Sequence, residues 1–552
     1  MKKLLTFLLS ALCLGAHAQT APVWSWANSL GTNALNNAGT MTTDAAGNTY
    51  VAGGFSQPLT LAPGTVLTSA GGQDGFVAKY DPAGALLWSR QLAGSSNDQF
   101  QKVVIDATGK VTLAGTTSDG AQIGGTTFSS NTFGTLAALF QLDAQGQVLS
   151  IREVGNGSFF ILSDLAVDAA GNSYLSGIFA LDAYFGNLSL NAPFTGSSVS
   201  FDQFLVKVSP QGVPLWAQQG GRTTSPAGMA VQLFYSSLAL EPGGNLFFTW
   251  TCNASSGSFG NLTMPAGFGN ADVLVVKYDS QGTPLWLQRA GSSGADFSGN
   301  TTVDALGRLV VPGFVTATGT FGNQSLPYSS GTALGFVWTL DPGTGATGWV
   351  RSLAGTVGGA FRGVTADAAG NIYAAGQFSG QGTLGSTSLT SAGGLDGLIV
   401  SYSSAGTVRW ARQTGGTGDE TPLYLSLDGT NQLSVAGVLS GAGQFGSTAL
   451  TSQNANPGNL FVAHLGRMVA ATRTGQAVAP LLLYPNPAAA TDAVVLPPLP
   501  AGTRLTLTDA LGRTVGRPVG ATLAVADLAV GVYVVQATAP DGQQWTTRLV
   551  VK

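Results

Sequence analysis

The pentapeptide Asp-Ala-x-Gly-Asn, or a close variant of it, recurs seven times in this chain at a nearly fixed interval. No other feature limits the available folds as much. The copies are Asp44-Ala45-Ala46-Gly47-Asn48, Asp106 to Lys110, Asp168 to Asn172, Glu241 to Asn245, Asp304 to Arg308, Asp367 to Asn371 and Asp428 to Gln432. Successive copies lie 62, 62, 73, 63, 63 and 61 residues apart. Self-similarity of this period marks a supersecondary unit that buries its apolar face against its neighbours.

Each unit carries a second anchor. In the first unit it reads Asp74-Gly75-Phe76-Val77-Ala78-Lys79-Tyr80-Asp81-Pro82-Ala83-Gly84, followed by Trp88. Close copies run from Asp202 to Trp216 and from Asp272 to Trp286, with looser ones at Gly335 to Trp349 and Asp396 to Trp410. The second unit has Ser150 where the tryptophan should stand. Four strand signals per unit result, termed a to d. An Asp carboxylate that can bond backbone N–H groups two residues on, with a Gly for positive φ, closes the a–b and c–d hairpins. Four antiparallel strands repeated about an axis describe a propeller blade. The last unit has a c strand at Leu460 to His464 but no d strand after it, whereas Trp26 lies 62 residues before Trp88. The expected architecture is therefore all-β: a seven-bladed β-propeller of four-stranded blades, closed by the N-terminal strand.

Composition agrees. Charged residues make up 9% and hydrophobic residues 44%, Gly numbers 78, and only three Glu and eight Lys occur. Little helix-favouring charge with abundant turn residues suits short strands. Lys2 and Lys3, the apolar run Leu4 to Gly15 and Ala16-His17-Ala18 read as a secretory signal over 1–18, cut between Ala18 and Gln19. Cleavage leaves Cys252 as the one cysteine, a small core residue by its register with Phe55. It also takes the formal charge from −4 to −6. With no basic run, a nucleic-acid partner is not expected, and no transmembrane segment is expected in the mature chain.

The units resemble the SBBP-type β-propeller repeat, on Asp-Ala-x-Gly-Asn-x-Tyr-x-x-Gly, Asp-x-Phe-Val-x-Lys-Tyr and the later Trp. That resemblance implies a fold over 19–473 and no shared activity. The period stops after Arg473, and 474–480 read as a linker. Over 481–552 short alternating strands suggest a small Ig-like β-sandwich. Tyr484-Pro485-Asn486-Pro487, the turn from Asp509 through Gly512 to Arg513, Gly531-Val532-Tyr533 and the terminal Lys552 follow in order. This segment resembles the type A C-terminal sorting domain of the type IX secretion system. The resemblance implies the type IX machinery as a partner, passage across a Gram-negative outer membrane, and a secreted or cell-surface protein.

The search for chemistry yields little. His464 is the only histidine after the signal and reads as a strand residue at a blade contact. One His and one Cys supply too few ligands for zinc, and the Asp loops lack EF-hand spacing, so no metal and no cofactor are expected. The tryptophan series reads as packing. The d–a connections offer Asn97, Asp98, Asp296, Asp419 and Glu420, with Arg362 beside them, as loops that could face a ligand. Solvated loop acids are the expected state, and the chain is expected not to be an enzyme. The leading expectation is a secreted or surface binding or adhesion scaffold for an unknown extracellular glycan or protein. A polysaccharide hydrolase or lyase using loop carboxylates, and a structural part of a surface layer, are the alternatives.

Overall fold

The computed structural model describes residues 21–31, 40–130, 136–192, 200–224, 236–253, 257–328, 333–353, 358–452, 458–466, 483–500, 502–509, 513–516, 522–539 and 544–552. The expected signal segment with Ala18 and Gln19, the linker at 474–480 and Gly512 lie outside them. Two compact units divide the chain, Met1–Arg467 and Met468–Lys552. Every regular element among the described residues is a β-strand.

The repeat builds its hairpins from the turn outward. Asp44 Oδ1 accepts the amides of Ala46 and Asn48 at 3.0 and 2.9 Å, and Oδ2 accepts Asn48 Nδ2 and the Tyr50 hydroxyl. Gly47 supplies the positive φ of 86°. Asp168 and Asp367 repeat all four bonds. Burial raises the proton affinity of Asp44, but the bonds from Asn48 and the charge of Lys79 outweigh it and hold the carboxyl below its usual value.

The glycine of the b strand has a different cause. Pairing skips one residue of strand a in four units: Gln101, Ser163, Arg362 and Leu423 have no partner on strand b. Each is a β-bulge. Strand a thereby leans onto b, so a Cβ on Gly177, Gly376 or Gly437 would collide with the carbonyl oxygen of Ile161, Ala360 or Thr421.

Strand a of each unit packs on strand a of the next. The series runs through Thr40–Thr43, Gln99–Ile105, the second half of Val148–Val167, Ser236–Leu240, Thr302–Val303, Gly358–Ala366 and Asp419–Leu427, which returns to Thr40–Thr43. The seam between the two ends of this series is made by the N-terminal strand. Trp24–Leu30 pairs antiparallel with Asn459–Leu465, which pairs with Leu433–Ser440 and then Asp419–Leu427. Leu30, Met41, Val51 and Phe76 share one buried core with Ala436, Leu460 and Val462. Full burial of a large apolar side chain contributes about 1.5–3 kcal/mol, so this seam is held by packing.

One junction departs from four separate strands per unit. Val148–Val167 runs without a break from the d position of the second unit into the a position of the third, fusing both into one eight-stranded sheet. No turn-forming Asp or Pro interrupts it, and the lengthened partner Ser173–Phe185 pairs with its middle, Asn156 against Tyr184.

In the C-terminal unit a four-stranded sheet (Thr514–Gly516, Arg504–Asp509, Gly531–Thr538, Gln544–Val551) and the pair Ala493–Val495 with Thr522–Ala524 close on one core. Val494 and Leu523 meet Leu505, Leu507, Val535 and Leu549 there.

Candidate functional site

The acids of the d–a connections are not solvated. Asp98, Asp296 and Glu420 are fully buried, while their neighbours Asn97 and Asp419 are exposed. A backbone clip draws each connection inward. The N–H groups of Asp98, Asp296 and Glu420 donate to the carbonyls of Gln73, Ala271 and Leu395 at 2.6, 2.8 and 2.7 Å. Asn97 Oδ1 and Asp419 Oδ1 return the clip by accepting the amides of Gln73 and Leu395.

Each clip presses the loop acid toward a second buried carboxylate, the Asp that opens strand c. Asp74 raises the proton affinity of Asp98, Asp272 that of Asp296, and Asp396 that of Glu420. In every case burial is the larger cause. Glu420, with Asp419 adding to the repulsion, is pushed up to about 8 despite a 3.1 Å hydrogen bond from Thr414 Oγ1. Sequence reasoning missed Asp74, Asp272 and Asp396, although the spacing to the loop acid is 24 residues in all three units. As placed, these carboxylates have no solvent path to a polymeric substrate.

Arg362, the bulged residue of its strand, lies between the fifth and sixth units with its guanidinium 5.1 Å from the Phe314 ring. Its Nε is buried without an acceptor, and no carboxylate among the described residues pairs with it. Between the inner strands of the second and third units, by contrast, Lys102 pairs with Asp164 at 2.8 Å. Nearby, Asn300 donates from its backbone to Arg362 O and from its side chain to Leu423 O, which draws the inner strands of three units together.

His464 stacks on Trp26 at 5.9 Å, and its Nδ1 lies 2.8 Å from Ser25 Oγ. Burial lowers its proton affinity, with Asp428 opposing. Asp428 does not orient the ring, because its oxygens are taken by Thr430 and Gln432 of its own turn. The contact joins the first and last described strands of the larger unit. A cleft of about 690 Å³ opens beside this seam, lined by residues that include Asn28, Ser29, Thr60, Pro63, Leu86 and Leu450, none of its lining being charged.

In the C-terminal unit the motif residues tie the segment 483–488 to the last strand. Asn486 Nδ2 donates to Arg548 O, Asn486 Oδ1 accepts Val550 N–H, and Lys552 N–H donates to Ala488 O. Asp509 accepts the backbone and side chain of Arg513, and the Tyr533 hydroxyl donates to Ala529 O near Gly531. Tyr484 is exposed and joined to Val495 through its backbone, with Pro485 and Pro487 flanking Asn486.

No protein-family model and no curated protein matches this chain, so neither family resemblance drawn from its motifs is matched there. Among solved structures it is similar to puromycin hydrolase, at 12% identity and TM-score 0.39, over 92% of this chain and 59% of that one. It is also similar to an acylaminoacyl peptidase from Pyrococcus horikoshii, at 10% and 0.38 over 78% of this chain and 52% of the other. The β-propeller domain of the Trilobed protease from Pyrococcus furiosus matches at 7% and 0.36 over 76% and 98%. The chain spans little more than half the length of the first two. The expectation that the chain is not an enzyme is corrected by these neighbours, which include hydrolases. At such values the likeness assigns no activity either.

Proposed function

We propose that this chain is exported, crosses the outer membrane by the type IX route through its C-terminal unit, and displays a seven-bladed β-propeller as a platform for an acidic extracellular glycan or protein. Arg362 carries the binding reading. A half-buried guanidinium with an acceptor-free Nε and no carboxylate partner among the described residues is an anion site waiting for its counter-charge. The export reading is supported by the leader-like first 18 residues and by a C-terminal all-β unit whose Asn486 secures its opening segment to its final strand.

A glycan array and a pull-down with the full chain test the binding reading, with Arg362→Ala beside it. Binding of acidic ligands that disappears in Arg362→Ala supports it; a ligand held equally by both variants overturns it. Export is tested by expressing Asn486→Ala in the native host. Retention inside the outer membrane is expected, and unchanged release sinks the sorting role.

A further inference from the structure

Each clip leaves oxygens that accept nothing. Asp74 Oδ2 accepts Ala70 N–H and Gln91 Nε2 at 2.9 and 2.6 Å, and Asp98 Oδ1 accepts Thr117 Oγ1 and Ser118 N–H. Asp74 Oδ1 and Asp98 Oδ2 are buried and have no donor. The seam between the sixth and seventh units repeats the pattern. Asp396 Oδ2 accepts Ala392 N–H, Glu420 Oε2 accepts Thr414 Oγ1, and Asp396 Oδ1 and Glu420 Oε1 are left over. Each of these seams thus holds two buried carboxylate oxygens without a donor among the described residues. Two buried anions side by side, with nothing positive between them, repel and lose their hydration.

The seam between the fourth and fifth units shows the alternative. At the register of Gln91 and Gln413 stands Arg289, whose Nε donates to Asp272 Oδ2 at 2.7 Å. Asp296 takes donors from Ser292 and Thr316 on both oxygens. Its Oδ2 and Asp272 Oδ1 crowd the same face of Gly291, where a Cβ would stand 2.9 Å from the former and nearer still to the latter. Asp272 Oδ1 is again without a donor, but a fixed positive charge stands on the other oxygen of that carboxylate.

We propose that Asp74 with Asp98, and Asp396 with Glu420, each share one proton in a carboxyl–carboxylate hydrogen bond that locks the seam between two units. The proton on the loop acid donates to the orphaned oxygen of its partner; hydroxide removes it as water, leaving two repelling anions and a loosened seam. The charged groups facing the first pair are its own two members. Those facing the second are Asp396, Glu420 and the exposed Asp419. No cation among the described residues pairs with either, whereas Arg289 is bonded to Asp272 in the third.

The sign is fixed by linkage. Glu420 holds its proton more tightly folded than its unfolded value of 4.5, up to about 8. Its contribution is therefore complete below the unfolded value, declines through neutrality, and is gone above about 8.

The test uses the full chain with carbon-13 placed in its three glutamates, Glu153, Glu241 and Glu420. One carboxyl signal should titrate near 8, vanish in Glu420→Gln, and drop to the ordinary range in Gln413→Arg. Thermal midpoints should fall with alkali in the native chain and less steeply in Glu420→Gln and Asp98→Asn, whose amides donate permanently. All glutamates titrating in the ordinary range would overturn the proposal. So would stoichiometric calcium binding that shifts the Glu420 signal at neutral pH, because a metal would then occupy the gap.

Discussion

Trp26 Nε1 donates to the Pro82 carbonyl at 2.9 Å across 56 residues, and Trp88 Nε1 donates to the Ala144 carbonyl at 3.0 Å across the same 56. Trp216, Trp286 and Trp349 reach Ser280, Pro342 and Ser404 in the same way. Every such indole lies flat on the positive-φ glycine of the next c–d turn: Gly84, Gly146, Gly282, Gly345 or Gly406. At these five positions the tryptophan of strand d is thus a stitch from one unit to the next. Trp26, from the opposite end of the chain, makes the stitch that joins last to first. In the second unit, which has Ser150, the stem of Arg152 covers Gly212 instead.

Trp26→Ala and Trp88→Ala should therefore cost similar stability, about 2–4 kcal/mol each, measured by denaturant unfolding of the full chain. A negligible loss for Trp26→Ala beside a large one for Trp88→Ala would mean the terminal stitch carries no load.

Two glycines should separate steric need from habit. A Cβ on Gly376 strikes the Ala360 carbonyl, whereas one on Gly243 meets nothing within 4 Å. Gly376→Ala should destabilise by about 2 kcal/mol or more, and Gly243→Ala should be neutral or stabilising by about 0.4–1 kcal/mol. Thermal midpoints of the two variants decide it.

Much of this was legible in the chain. Asp44 and Gly47 announce their hairpin because both ends of the turn lie within four residues. The partner of Trp26 was not, since the contact crosses to another unit and the period alone says only that tryptophan recurs. Asp98, Asp296 and Glu420 read as solvated because charge is normally exposed; their burial follows from backbone clips that no side-chain pattern encodes. The fused strand Val148–Val167 was missed for a related reason. Four separate strands were expected in each unit, but the chain stays extended through Gly155 and Gly157.

At the acid end the repeat turns set the limit. Asp44, Asp106 and Asp341 hold their protons less tightly folded than unfolded, so their stabilisation is present above the unfolded value near 3.8 and lost as pH falls below it. Asp44→Asn should lower stability at neutral pH and flatten the acid limb, read by circular dichroism between pH ~2 and ~6. An unchanged acid limb would show that Asp44 does not contribute.

Cys252 is fully buried with its Sγ 4.0 Å from Met264 Sδ. A thiol reagent should leave the folded chain of residues 19–552 unlabelled and modify one site per chain in denaturant. Rapid labelling under native conditions would place that strand outside the core.

Ring closure can be read directly by amide hydrogen exchange over Trp24–Leu30. Those amides should be protected as strongly as Leu433–Ser440, the strand two places inward in the same sheet. Exchange at the rate of an unstructured peptide would show that the N-terminal segment is not part of the last sheet and that the ring stands open.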